Sequence, residues 1–415
     1  MIDPRSELLG WIDADRDLMV AFLSQFTQAK SPNPPGDTRE AAACLTRLLD
    51  ERGLAYRVVA PDPAMPNIVA SFAGGRPGPH LVLNGHIDVY PVGDAYGWTY
   101  DPWRGTVTNG RVYGRGVNDM KAGTAGALFT FLYLHRLRKQ LGGTLTLTAV
   151  SDEETLGPNG ARYLIENLPE VRGDLCLSQE PTGIGTLRFG EKAPLWLTFT
   201  VRTPGSHGAY PHKSKSATKI AANLVRDLEA LTEIKVETPE NIARLLADGA
   251  DAIDEAQTEG AASIVQKVTV NIGVVYGGLK VNMVPAYCVV EVDIRVPIGL
   301  ATDAVIGAAK NIAARYPEVS VDVASANSPL WSDPEHEMVK IIQANVKGLK
   351  GFEPKPVVSL PATDVRLWRA RDIPAYVYGV TPYNVAMADE YVEIEEFLHV
   401  VKTHALSAHD YLTRR

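Results

Sequence analysis

Between Ser6 and Gln28 the apolar residues Leu8, Leu9, Trp11, Ile12, Leu18, Met19, Phe22 and Leu23 recur at helical spacing, and a Ser31-to-Gly36 cluster rich in proline ends the run. The pattern predicts one amphipathic helix there and a second over Arg39–Arg52. Extended runs follow at Tyr56–Ala60, Asn67–Phe72 and His80–Asn84, separated by proline and glycine turns. From Lys121 to Leu137 small and apolar residues predict a buried helix, and Thr144–Val150 reads as a strand covered on both faces, as in a parallel sheet. Strands alternating with helices predict an α/β sheet.

Near Lys192 the rhythm changes. Strand Leu195–Arg202, helix Ser216–Leu231, strands Val268–Val275 and Tyr287–Val296, helix Thr302–Tyr316 and strand Val319–Ser325 give the β-α-β-β-α-β order of a ferredoxin-like unit. The acidic, alanine-rich stretch 233–266 reads as a helix-loop excursion. The first rhythm returns with helix Glu335–Lys347, strand Ala375–Tyr378 and helix Glu393–Leu412. The expected organisation is one α/β domain in two chain segments, 1–191 and 328–415, interrupted by a smaller ferredoxin-like α+β domain over 192–327.

Composition narrows the function. The 415 residues fit two or three units at roughly 100–200 residues per domain. With 45% apolar and 22% charged residues the chain is ordinary for a globular protein, and a net charge of −8 offers no footprint for nucleic acid or an anionic membrane. No window approaches the about 20 apolar residues of a membrane span, and the N-terminus lacks the basic and apolar regions of a secretion signal. Cys44, Cys176 and Cys288 lie in apolar runs and read as reduced residues. The expectation is a cytoplasmic protein without nucleic-acid or membrane partners.

The chemistry gathers where predicted strands end. Leu81–Asn84 runs into Gly85-His86-Ile87-Asp88, so His86 and Asp88 alternate to one side at the carboxyl end of a strand, where α/β sheets bind ligands. Asp119 follows a glycine-rich loop directly before a helix, where it is either aimed inward or a helix N-cap. Strand 144–150 exits into Asp152-Glu153-Glu154, whose like charges require a cation, a shared proton or solvent. The apolar run 174–177 exits into Gln179-Glu180. Taken together these exits offer an N/O ligand set suited to Zn²⁺, Mn²⁺ or Co²⁺, with carboxylate to spare for a general base.

These motifs resemble the M20 metallopeptidase/deacylase family. The resemblance rests on Gly85-His86-Ile87-Asp88-Val89, the stretch Trp98 to Gly116, Asp119-Met120-Lys121-Ala122-Gly123, Asp152-Glu153-Glu154 and Glu180-Pro181-Thr182, and it extends through Gly205-Ser206-His207-Gly208, Asn282-Met283-Val284-Pro285, Thr363-Asp364-Val365-Arg366 and Asp389-Glu390-Tyr391-Val392. It implies a zinc-peptidase-like fold, with 1–191 and 328–415 as an α/β/α catalytic domain and 192–327 as an α+β lid and dimerisation domain, in which His86, Asp119 and Glu180 form one metal site and Asp119 bridges to a second. Asp88 would orient His86, Glu153 would be the general base, and Glu154 would serve the second metal. His207 would reach the partner subunit's site as an oxyanion donor, implying a homodimer, while Asn282 and Arg295 would line the substrate site. An arginine there suits a small-molecule substrate bearing a carboxylate.

One departure from the family pattern matters. The last ligand, a His four residues before the Glu of the Asp389-Glu390-Tyr391-Val392 segment, is here Ala386. Alanine cannot ligate, so one divalent ion per subunit (Mn, Zn or Co) is expected. Three functions remain open: a deacylase cleaving an amide of a non-peptide or dipeptide-like molecule, an aminohydrolase releasing ammonia from an amino-substituted acid, aromatic acids included, and a non-catalytic binding relative.

Overall fold

The computed structural model describes residues 3–414. The larger sheet has nine strands. Along it run Tyr56–Val59, Asn67–Ala73, Gly142–Val150, Arg76–His86, Leu175–Ser178, Ala375–Val377, Thr186–Glu191 and Leu330–Trp331, with Lys355–Ser359 pairing beside Thr186–Glu191. Its central strands 76–86, 142–150 and 175–178 are parallel neighbours. Their residues are buried on both faces near the carboxyl ends, as the continuous apolar runs require. The helix Ala122–Leu137 packs over this centre with nearly every residue buried. Its small residues permit the approach: a Cβ on Gly123 would stand 2.4 Å from the Gln179 carbonyl oxygen.

A four-stranded antiparallel sheet, in the order 269–277, 287–296, 193–202, 319–326, carries helices Ala217–Leu228 and Thr302–Ala313. This is the ferredoxin-like order, and the sheet has its own apolar core around Leu197, Phe199, Leu224, Val292 and Val305. The α/β class and the inserted α+β unit therefore stand as the periodicity indicated.

One local expectation is corrected, and two features add to the pattern. The first predicted helix is two, Pro4–Ala14 and Arg16–Gln28, because Asp15 leaves the helical region at φ −91°, ψ 11° and the chain bends between them. The 233–266 excursion forms helices Glu240–Asp248, Ala250–Gln257 and Ala261–Ile264, whose Ile242, Leu246, Ile253 and Ala261 join the core of the larger sheet. Strands Thr186–Glu191 and Lys355–Ser359 were not expected; the first carries charged and glycine residues that hide its pattern, and both are defined by pairing. Among the described residues no helix is long and apolar enough to cross a membrane.

Candidate metal centre and substrate pocket

Register explains why distant residues meet. His86 pairs with Val150 and Asn84 with Ser178 across parallel ladders, so His86, the 151–154 loop and Glu180 leave the sheet at one edge. Asp119 arrives from the side. Gly116 turns the chain at φ 74°, where a Cβ would meet Val89 at 1.9 Å, and Asp119 departs from helical geometry at φ −113°, ψ 100°. Asp119 is thus not the N-cap of the following helix: its Oδ1 lies 3.2 Å from His86 Nε2. Glu180 Oε1 lies 3.5 Å from the same nitrogen. One ligand atom from each of His86, Asp119 and Glu180 falls within 4.8 Å of the others.

The tautomer of His86 follows from its partner. Nδ1 lies 2.9 Å from the Asp88 carbonyl, which can accept but not donate, so Nδ1 carries the proton and Nε2 of a neutral ring presents a lone pair. Asp88 therefore orients His86 chiefly through its main chain, its side chain standing farther off at 3.6 Å. That carboxylate instead accepts from Asn33 Nδ2 at 2.9 Å and from the Glu154 amide at 3.1 Å. A lone pair facing two carboxylates needs a positive charge between them, either a proton or a cation. Burial opposes a charged imidazole, yet Glu180, Asp119 and Glu153 hold His86 well above its ordinary value. Burial raises Glu180 and Glu154 well above the carboxylate range, and pushes Glu153 up to about 8 against the attraction of His86. A crowd of desolvated acids around one nitrogen is the donor set a divalent cation stabilises.

A cavity of about 230 Å³ opens onto this cluster. Asp119, Glu153, Glu154 and Glu180 line it together with Tyr90, Arg188, Trp196, Arg295 and Thr363. Arg295 is thus brought to the pocket, where its Nε donates to Asp293 at 3.1 Å while Trp196 Nε1 donates to the same carboxylate at 3.0 Å. Ala386 also lines the wall, beside Pro382 and Val385, so the residue that departs from the family pattern does face the site.

His207 and Asn282 are not brought to this cavity within one chain. They are exposed neighbours on the ribbon formed by Ser206–His207 and Met283–Val284, where the Gly208 amide donates to the Asn282 carbonyl at 2.8 Å. Arg188 and Trp196 are pocket residues that the sequence pattern does not reveal. Arg188 lies on a strand whose apolar pattern is hidden, and Trp196 alternates with core residues of its own, so neither stands out. Arg366 belongs to a motif of the resemblance, yet only the structure puts it 4.0 Å from Glu153 Oε1.

Fold and site together define a metal-dependent hydrolase acting on carbon–nitrogen bonds. The model of peptidase family M20/M25/M40 matches residues 82–410, and the chain belongs to that family. It is 26% identical over 407 residues to the succinyl-diaminopimelate desuccinylase of Cereibacter sphaeroides, across 95% of this chain and 99% of that protein. The desuccinylase of Methylorubrum extorquens is 28% identical over 382 residues, covering 87% and 92%. Among solved structures, an M20 family metallo-carboxypeptidase from Sulfolobus solfataricus shares the fold with a TM-score of 0.82 at 17% identity, covering 95% of this chain and 99% of that one.

Proposed function

We propose that this protein hydrolyses the amide of a small N-acyl amino acid carrying a carboxylate, with one divalent cation held by His86, Asp119 and Glu180. The observation that carries the reading is the convergence of these three donors, from three separate parts of the chain, beside a pocket that Asp119 and Glu180 line together with Glu153 and Arg295. Imidazole and carboxylate donors suit Mn²⁺, Zn²⁺ or Co²⁺. Such a cation supplies Lewis acidity, making water a nucleophile near neutral pH and polarising an amide carbonyl. Glu153 accepts a proton from the attacking water and delivers it to the leaving nitrogen. Its burial favours holding that proton, and Arg366 at 4.0 Å favours releasing it. Arg295 binds a substrate carboxylate, with Arg188 in the same wall as a second cationic contact. With Ala386 in place of an imidazole, Glu154 is left to hydrogen-bond water or a substrate amine.

The reading includes a homodimer through the lid. Leu279 and Val281 are 92% and 100% exposed beside Tyr276 and Met283, an apolar lip next to His207 and Asn282. The Ala209 amide donates to His207 Nδ1 at 3.2 Å, so Nε2 of the neutral ring carries the proton and is free to donate to a developing oxyanion in the other subunit. Ala386 also favours a second reading, an aminohydrolase. An apolar wall of Pro382, Val385 and Ala386 facing the pocket of Tyr90 and Trp196 suits an aromatic ring better than a second ion.

Elemental analysis after reconstitution with Mn²⁺, Zn²⁺ or Co²⁺, paired with product analysis on N-succinyl and aromatic amino acids, tests both. One ion per chain, lost in Glu180→Ala and kept in Glu154→Ala, with release of an acyl acid, supports the first reading. Ammonia with a retained carbon skeleton would replace it with the second, and two ions per chain would overturn the mononuclear site. Ligand-dependent melting shifts without product would leave a binding protein.

A further inference from the structure

Asp119 reaches His86 because its segment breaks the helical turn, and the amides of Asn118 and Asp119, in the first turn after Gly116, need acceptors outside the segment. Glu390, 271 residues away along the chain from Asp119, supplies them. Its Oε1 accepts from the Asn118 amide at 3.0 Å and from the Asp119 amide at 3.2 Å. Its Oε2 accepts from Arg115 Nη1 at 2.6 Å, and the other arm of that guanidinium, Nη2, donates to the Ala386 carbonyl at 3.1 Å. The pair is almost wholly buried, with side chains 3% and 1% exposed. A buried ion pair is a poor way to add stability, since a well-packed apolar pair does as well or better. Its geometry is suited instead to holding one loop in register with another.

We propose that Glu390 is a positioning residue for the metal ligand Asp119, and that through Arg115 it couples that ligand to the pocket wall at Ala386. The inference rests on the reading of His86, Asp119 and Glu180 as the metal site. A ligand carboxylate must be held to within about 0.5 Å to coordinate well, and Asp119, on an irregular turn rather than a regular element, has Glu390 in place of a helix or strand to fix it. The wall and the ligand then share one clamp, so a change at Ala386 is felt at Asp119.

The test is calorimetric titration of Mn²⁺, as the metal alone, into apoprotein of the wild type, His86→Ala, Glu390→Ala, Glu390→Gln and Arg115→Met, with the apoprotein melting temperature recorded for each. Partners that orient metal ligands are worth about 10–100-fold in metal affinity. Glu390→Ala and Arg115→Met are expected to bind Mn²⁺ at least tenfold more weakly while still folded. Glu390→Gln, whose side-chain carbonyl still accepts the two amides, should recover part of the loss. A merely structural role would lower the melting temperature and leave the affinity of the folded apoprotein where it was. If Glu390→Ala does not fold, Arg115→Met decides alone. Loss of binding in His86→Ala with wild-type affinity in the clamp variants overturns the positioning role and leaves the metal site standing. Undiminished binding in His86→Ala overturns the metal-site reading and the positioning role with it.

Discussion

The carboxylate of Asp119 stands 3.2 Å from Nε2 of His86, on the side of the ring opposite the Nδ1–H that donates to the Asp88 carbonyl. With Glu180 3.5 Å from the same nitrogen, a neutral ring turns its lone pair toward two carboxyl groups. A divalent cation between them would satisfy the arrangement, and the consequences of that proposal can be measured.

Restoring an imidazole at the pocket wall should restore a second ion. Ala386 faces the cavity that Asp119 and Glu154 line, and its φ of 60° is one that histidine tolerates better than most residues. Ala386→His is expected to raise bound Zn²⁺ from one to two per chain by elemental analysis. A stoichiometry unchanged from wild type would show that more than this side chain separates the protein from a dinuclear centre.

Removing His207 should damage turnover without touching the metal. A single oxyanion donor is worth about 10²–10³ in kcat. His207→Ala is expected to lose activity on that scale with its metal content intact, and mixing it with an inactive Glu153→Gln protein should regenerate heterodimers with one working site. Full activity in His207→Ala would remove the donor role.

Arg295 should govern substrate affinity. A hydrogen bond to a charged group is worth about 1.5–3 kcal/mol, or roughly 10–100-fold. Arg295→Ala is therefore expected to raise KM for a carboxylate-bearing substrate by that factor, with much less effect on the corresponding amide. Equal losses on both substrates would place Arg295 outside carboxylate recognition.

Acid should destabilise the fold through His404. Burial lowers this histidine to about 4, against an ordinary value near 6.5, although its bond to the Tyr378 carbonyl works the other way. Below pH 6.5 the unfolded chain binds a proton that the folded chain refuses, so its contribution to stability is complete above that pH and is lost as pH falls toward 4. At about 1.36 kcal/mol per unit the full loss is about 3 kcal/mol. Thermal melts from pH 7 to pH 5 should fall less steeply for His404→Gln than for the wild type. Parallel slopes would refute the assignment.

Much of this protein was legible along the chain. Periodicity distinguished the two sheets and their order of elements because apolar residues repeat at two or at about 3.6 depending on what they pack against. His86, Asp119, Glu153 and Glu180 were visible as candidates because each follows a glycine-rich loop or a strand that ends abruptly, whereas Ala386 stood out only against the pattern of the family that the motifs resemble. What the sequence could not contain was proximity between elements. Thr186–Glu191 and Lys355–Ser359 became strands by pairing, and the 240–264 helices found the larger core although they are flanked by the smaller domain's elements. The Asp119 turn depends on acceptors offered by Glu390, far along the chain. Local pattern determined the elements and marked the strand ends where candidate ligands lie, since both depend on neighbours within a few positions. Tertiary structure alone decided which lone pairs face one another, since hydrogen-bond and charge geometry is set by contacts that no spacing in the sequence encodes.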